Sequence, residues 1–153
     1  MDDPAEAAYA QALKLLARRE HSRRELAQKL ALRGIDPQLA ADALNRLADA
    51  GYLSDQRYAQ ARVNELLRRH YGPLRAQADL RSHGVDDDTI ASVVDAEHPD
   101  WYAACRAVRV KKFGRSPAAN TPQRARQQRQ LQARGFTGAQ IRAALTHVTD
   151  DDA

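Results

Sequence analysis

The feature that most constrains this chain is an internal repeat. Three pairs of a glycine followed by an apolar residue, spaced by 50 and then 51 residues, mark it: Gly34-Ile35, Gly84-Val85 and Gly135-Phe136. A leucine stands four residues before each glycine, at Leu30, Leu80 and Leu131. A unit of this length buries only a modest core, so adjacent units are expected to stack and share apolar faces. Such a chain is expected to be a monomer.

Each repeat unit is predicted to contain three short helices. Capping residues, prolines at the first helical position and two capping boxes predict nine helix starts. These starts lie at Asp3, Ser22, Asp36, Ser54, Gly72, Asp86, Asp100, Thr121 and Thr137. Glycines in a left-handed conformation are predicted to end helices at Gly34, Gly51, Gly84, Gly114 and Gly135. Apolar residues recur every three or four positions between these points, which is typical of amphipathic helices.

Composition favours the same fold class. The chain has 30 Ala and 16 Leu against 7 Val and 3 Ile, and this balance favours helices over strands. The expected fold is all-α, with three tandem three-helix repeats (nine short helices) in an elongated, curved arrangement. The predicted domains are residues 3–53, 54–98 and 99–149, with a loop at 114–120 and an acidic tail at 150–153.

Several classes of protein are excluded. No apolar run approaches the roughly 18 residues that a membrane span requires. The acidic N-terminus lacks the basic start of a secretory signal, so a cytoplasmic location is expected. Cys105 is the only cysteine, which excludes a disulfide framework. The five histidines lack metal-ligand spacing and no Gly-rich phosphate loop occurs, so we expect no metal, no cofactor and no enzymatic activity.

Charge is distributed very unevenly beneath the formal net charge of +4. Residues 101–149 contain ten Lys and Arg but no Asp or Glu, and residues 14–33 are also basic. Arginine binds carboxylate and phosphate with a planar fork, although a GC-rich genome also enriches it. The predicted helix at 121–134 has Leu131 as its only large apolar residue. A helix this polar is either a solvated surface or a partner-binding face, and both interpretations stay open.

Local charge selects the candidate partner contacts. We take basic residues from the two basic stretches, because positive charge in these stretches suits an acidic or polyanionic partner. The candidates are Arg18, Arg19, Lys111, Lys112, Arg124, Arg126, Arg129 and Arg134.

One hypothesis is direct recognition of DNA. Residues 22–53 resemble a helix-turn-helix, because two predicted helices flank a short glycine turn. However, the second helix carries Asp42 and Asp49 against the lone Arg46, which is a poor surface for phosphates. The motif also occurs three times, which a reader of one operator does not need.

The second hypothesis is a protein that regulates another protein, because three sets of motifs resemble the RecX family of recombination regulators. The first set is Ser22-x-x-Glu25-Leu26-x-x-Lys29-Leu30 with Gly34, then Leu47-x-x-x-Gly51-Tyr52-Leu53-x-Asp55-x-x-Tyr58-Ala59. The second is Tyr71-Gly72-Pro73-x-x-Ala76-x-x-x-Leu80, followed by Gly84-Val85. The third is Leu131-x-x-Arg134-Gly135-Phe136-Thr137-x-x-x-Ile141. The resemblance covers roughly residues 7–148.

The resemblance implies three tandem three-helix repeats and a regulatory function. RecX-family proteins bind the RecA recombinase, chiefly its nucleoprotein filament, and they lower ATP hydrolysis and strand exchange without doing chemistry themselves. The expected partners of this chain are therefore RecA and the RecA–DNA filament, with weak direct binding to DNA as a secondary expectation. Whether the basic stretches contact RecA, DNA or both stays open.

Overall fold

The structure, a computed structural model, describes residues 3–146, and within them the chain forms nine α-helices and no strand. The helices are α1 (Pro4–Arg18), α2 (Arg23–Leu32), α3 (Pro37–Asp49), α4 (Asp55–Arg68), α5 (Pro73–Ser82), α6 (Asp87–Val93), α7 (Pro99–Phe113), α8 (Thr121–Ala133) and α9 (Gly138–Thr146). The all-α prediction is confirmed. The predicted acidic tail at 150–153 and the predicted end of the third repeat at 149 lie outside the described residues.

Most of the predicted helix starts are confirmed by their caps. Asp3, Ser22 and Asp36 are the N-cap residues of α1, α2 and α3. Before α9, the Gln140 N–H donates to Thr137 Oγ1 at 3.2 Å, and the Thr137 N–H donates to Gln140 Oε1 at 2.9 Å. These two reciprocal bonds form the capping box that the sequence predicts.

Two predicted starts are wrong by one or two residues. His98 caps α7 instead of Asp100, because His98 Nδ1 accepts the Asp100 N–H at 3.1 Å. Asn120 caps α8 instead of Thr121, because Asn120 Oδ1 accepts the Gln123 N–H at 2.9 Å. In both places a side-chain acceptor further upstream satisfies the orphan amides of the first turn, so the helix begins earlier.

All five glycines predicted to end helices adopt positive φ angles, between 79° and 93°. Gly135, at φ 93°, shows why the residue type is required. The turn after α8 closes with the Gly135 N–H donating to the Gln132 carbonyl at 2.9 Å. A residue with a Cβ adopts this left-handed backbone only at an energetic cost.

The described residues divide into two compact units, and the division crosses α4 and α5. One unit comprises the chain up to Ala61 together with Leu80–Val93, and the other comprises Arg62–Asp79 and the chain from Val94 onward. The predicted domain boundaries fall between α3 and α4 and immediately before α7, and they stay predictions. Among residues 3–146, no helix is long and apolar enough to cross a membrane.

The first unit has its core among α1, α2 and α3, which pack on one another. Its buried side chains are Ala12, Leu15, Leu26, Leu30, Ala40, Leu44, Leu47 and Leu53. The three- and four-residue spacing of these positions places them on one face of each helix.

The second unit has its core among α7, α8 and α9. Its buried side chains are Ala104, Cys105, Val108, Leu131, Phe136, Ile141, Ala144 and Leu145. Cys105 is a fully buried free thiol, and burial raises its pKa to about 12. The thiol is therefore a small core side chain and is not activated as a nucleophile.

Within the first unit, the N-terminus of α2 packs against the turn that follows α5. The Ser22 hydroxyl accepts the Glu25 N–H at 3.1 Å and donates to the His83 carbonyl at 2.7 Å. One side chain therefore both caps α2 and holds the turn. A Cβ on Gly84 would lie 2.4 Å from a side-chain carbon of Arg24, so the contact is close enough to require glycine.

The second unit contains the same contact one repeat later, between the N-terminus of α5 and the turn that follows α8. The Gly72 N–H donates to the Arg134 carbonyl at 2.7 Å, and the Leu74 N–H donates to the Gly135 carbonyl at 3.0 Å. A Cβ on Gly72 would lie 2.3 Å from the carbonyl carbon of Gly135. At this contact the backbone of Gly72 packs directly against the backbone of Gly135. In the repeat alignment, Gly72 corresponds to Ser22, 50 residues earlier.

Candidate partner-binding surface

The basic residues of α7, α8 and α9 differ widely in exposure. Those that are exposed in the structure are Lys111, Lys112, Arg115, Arg126, Arg129 and Arg142. Arg109 is buried, and Arg106, Arg124 and Arg134 are partly buried. Because residues 101–146 contain no acidic side chain, the exposed cations dominate the charge of this part of the surface.

Arg124, Arg126 and Arg129 lie on α8, and within residues 3–146 none of the three forms an ion pair. Arg126 and Arg129 are three residues apart, so they are neighbours on the helix surface. Asn120 and Pro122 start the helix, and residues 123–130 present almost only Gln and Arg. Of the three guanidinium groups, those of Arg126 and Arg129 are exposed and that of Arg124 is partly buried.

Lys111 and Lys112 are exposed in the last turn of α7. Cations at this end of a helix interact favourably with the negative end of its dipole. The two ammonium groups therefore stabilise the last turn of α7. They also add to the positive charge that the exposed arginines of α8 and α9 provide.

The two candidates at the end of α1 have different surroundings. Arg18 is exposed. Arg19 forms a two-pronged ion pair with Glu25, with nitrogen–oxygen distances of 2.9 and 3.2 Å. Burial raises the pKa of the Glu25 carboxyl, but the Arg19 guanidinium outweighs burial and holds that pKa below its ordinary value. Arg19 is thus committed to an internal contact at the N-terminus of α2.

Arg134 is also committed internally. Its guanidinium donates to the carbonyls of His70 and Arg69, at 2.9 and 2.6 Å, and lies 4.3 Å from the ring centroid of Tyr71. The side chain therefore ties the turn after α8 to the segment before α5. This geometry supports a structural role for Arg134 beside the partner contact that its charge suggests.

Arg109, one of the ten basic residues of the stretch 101–149, is a buried cation. Its side chain is 1% exposed and donates to the carbonyl of Gly114 at 3.2 Å. The contact holds the start of the loop at 114–120 against α7. Charge patterns in the sequence give no indication that this cation is buried or that it contacts backbone carbonyls.

A groove of about 300 Å³ runs between α8 and α9, and we call it the third-repeat groove. Its lining residues are Ala125, Gln128, Arg129, Gln132, Gly138, Ile141 and Arg142. Arg129 extends from α8 and Arg142 from α9, so two guanidinium groups border one groove. A Cβ on Gly138 would lie 3.1 Å from a terminal nitrogen of Arg142, which shows that Arg142 lies over this glycine.

A second groove, of about 220 Å³, lies between α2 and α3, and we call it the first-repeat groove. Its lining residues are Arg23, Ala27, Ala31, Ile35, Pro37, Ala40, Ala41 and Leu44. The spacing of 101 residues between Gly34 and Gly135 maps this groove onto the third-repeat groove. Ala27, Ala31 and Ala41 then correspond to Gln128, Gln132 and Arg142.

Arg142, Gln128 and Gln132 are lining residues that were not predicted as parts of a site. The repeat spacing could have found them, because the same alignment that pairs Gly34 with Gly135 places each opposite an alanine. Among residues 3–146, no group of His, Cys, Asp and Glu is arranged to hold a metal ion.

Comparison with known proteins finds relatives of the same family along nearly the whole chain. Residues 8–47, 54–94 and 99–145 match the family profiles of the RecX first, second and third three-helix domains. A Regulatory protein RecX from Halorhodospira halophila is 45% identical over 148 residues, which cover 97% of this chain and 92% of the relative. A Regulatory protein RecX from Xanthomonas axonopodis pv. citri is 41% identical over 140 residues, covering 92% of this chain and 86% of the relative.

Solved structures share the fold at low sequence identity. The crystal structure of RecX from Lactobacillus salivarius superposes with a TM-score of 0.84 at 18% identity, covering 97% of this chain and 98% of that one. A second crystal structure, of a regulatory protein RecX, gives a TM-score of 0.81 at 19% identity and covers 93% of this chain and 71% of that one. The three matched domains and the close relatives together establish that the chain belongs to the RecX family of regulatory proteins.

Proposed function

We propose that this chain binds the RecA recombinase and its nucleoprotein filament, and that it lowers RecA's ATP hydrolysis and strand exchange. The proposal starts from membership of a regulatory family and from the resemblance of its motifs to regulators of RecA. We further propose that it acts in the cytoplasm, as a monomer, by binding and without chemistry of its own.

The proposal rests on one observation, the cluster of exposed cations in the third repeat. We call these residues the basic region of α7–α9: Lys111, Lys112, Arg115, Arg126, Arg129 and Arg142. Exposed cations there have no acidic neighbours over residues 101–146, so the region favours an acidic protein surface or DNA phosphate as its partner. Several such contacts on one chain of repeats would act together, and their combined affinity would exceed that of each contact alone.

The alternative, direct reading of DNA through α2 and α3, has less support. Arg46 is the only cation of α3, and it pairs with Glu6 at 2.9 Å. Its guanidinium also lies 4.2 Å from the ring centroid of Tyr9. The helix that would enter the major groove therefore offers no uncommitted cation, whereas phosphate contacts supply most of the affinity of DNA-binding proteins.

The experiment that tests the proposal is steady-state ATP hydrolysis by RecA on single-stranded DNA, with this protein titrated in. RecA from the same source and a gel shift with DNA alone, at the same salt concentration, are the controls. We expect hydrolysis to fall at protein concentrations well below those that shift free DNA. Undiminished hydrolysis together with a salt-sensitive shift of bare DNA would instead identify a DNA-binding array.

A further inference from the structure

We propose that the third-repeat groove is a carboxylate-recognition site that takes an acidic segment of a partner protein. The inference rests on the proposed function in one respect only: RecA would be the protein that supplies this segment. The chemistry of the site follows from the groove's own lining residues.

The first observation is the placement of two guanidinium groups on opposite walls. Arg129 on α8 and Arg142 on α9 both line the groove and are both exposed. Neither forms an ion pair within residues 3–146. A planar guanidinium matches a carboxylate with two parallel hydrogen bonds, so each wall can hold one acidic side chain.

The second observation is that the fold does not require these polar side chains. The first-repeat groove has Ala27, Ala31 and Ala41 at the positions of Gln128, Gln132 and Arg142, and α2 and α3 still pack around a full core. Gly138 replaces Pro37 at the start of the second wall, and the missing side chain gives Arg142 room to lie over the groove. Polar groups that packing does not require indicate recognition.

The remaining lining favours a peptide over a nucleic acid. Gln128 and Gln132 are one helical turn apart, and their amides both donate and accept hydrogen bonds, as a peptide backbone does. Ile141, which is 4% exposed, and Ala125 give the groove an apolar floor. Single-stranded nucleic acid is bound instead by a continuous basic track with aromatic rings for its bases, and no ring lines this groove.

The test is a chemical-shift titration of the full ¹⁵N-labelled chain with a short synthetic peptide in which Asp and Glu alternate with Leu and Ala. A peptide with Asn and Gln in place of the acids, and a short oligo-dT, are the matched probes. We expect the acidic peptide to shift the amides of residues 125–132 and 138–142, and the neutral peptide to leave them unchanged.

Variants make the outcome decisive. The double replacement of Arg129→Ala and Arg142→Ala should weaken binding of the acidic peptide at least about tenfold, because each removes a charge-assisted hydrogen bond. Replacing Arg33→Ala and Arg68→Ala removes the same charge from exposed positions outside the groove and should leave affinity within about twofold, since distant surface charges are screened. Circular dichroism checks that both variants stay helical.

Three results would overturn the proposal: no shift at the groove amides, equal binding of the neutral peptide, or tighter binding of oligo-dT at the same residues. The last result would assign the groove to nucleic acid. None of them bears on RecA hydrolysis, which is measured without the peptide. Failure of the site and failure of the proposed function therefore stay distinguishable.

Discussion

The first-repeat and third-repeat grooves occupy the same place in the same three-helix arrangement, yet they differ at three corresponding lining positions. Ala27, Ala31 and Ala41 are apolar in one groove, which Arg23 also lines, whereas Gln128, Gln132 and Arg142 are polar or basic at those positions in the other. The buried positions beneath them differ much less. Leu30 corresponds to Leu131 and Leu44 to Leu145, and all four are at most 5% exposed.

This difference shows how a repeat protein divides its tasks. Packing constrains the size and shape of side chains on the inner face of each helix, because in a close-packed core even a change of one methylene group alters stability. The outer wall of each groove has no such constraint, so one repeat can acquire cations while another stays apolar. If the buried faces of the first and third repeats are equivalent, corresponding substitutions in them should lower the free energy of unfolding equally.

The largest expected effect tests that equivalence. Leu30→Ala and Leu131→Ala each remove a fully buried side chain, and we expect each to lower the free energy of unfolding by about 3 kcal/mol. Urea denaturation of the full chain, followed by far-UV circular dichroism, measures both. A near-wild-type stability for one variant beside a large loss for the other would show that the two frameworks are not equivalent.

A somewhat smaller effect is expected where the repeats join. Gly72→Ala places a Cβ 2.3 Å from the Gly135 carbonyl carbon, so we expect a loss of about 2–3 kcal/mol from forced backbone movement. Ser22→Ala, at the corresponding position in the first unit, should cost only about 1 kcal/mol through its lost cap. The same denaturation assay ranks them, and the reverse order would contradict the contrast between the two junctions.

The smallest effect is a pH dependence present at one junction alone. Burial lowers the pKa of His21 below its ordinary value of 6.5, and the nearby Arg19 and Lys29 charges act in the same direction, against the Arg19 carbonyl and the Glu25 carboxylate. The unfolded chain then binds a proton near pH 6 that the folded chain does not bind, so stability falls as pH falls below about 6.5. The corresponding residue of the second unit is Tyr71, so no imidazole stands at that position.

His21→Gln should therefore give a flatter curve of unfolding free energy against pH than wild type between pH 7.5 and 5.5. The difference between the two curves isolates His21 from the carboxylates, which titrate in both proteins. Parallel curves would show that His21 gains its proton equally in the folded and unfolded chains.

Much of the fold could be predicted because its determinants are local. Caps and glycine turns act within a few residues, which is why seven of the nine helix starts and all five glycine turns were predicted correctly. The starts of α7 and α8 were misplaced because His98 and Asn120, two residues and one residue before the predicted caps, accept the first-turn amides instead. Sequence alone does not rank two acceptors this close together.

The binding surface was harder to predict because its determinants are not local. Arg134 bonds to the His70 carbonyl 64 residues away, and Arg109 bonds to carbonyls of a loop, so neither appears in a charge count as a structural group. Arg126 and Arg129, which local charge selects as candidate partner contacts, are exposed, because an unusually polar helix has few positions that can be buried.

The most direct test of the central claim, that the basic region of α7–α9 binds the RecA filament, is the affinity of labelled chain for RecA filaments at two salt concentrations. Arg126→Ala with Arg129→Ala is compared with Arg33→Ala with Arg68→Ala, and all four positions are exposed. We predict that the first pair weakens binding at least about tenfold and flattens its salt dependence, and that the second pair does neither. Equal affinity and equal salt dependence for both pairs would contradict the account.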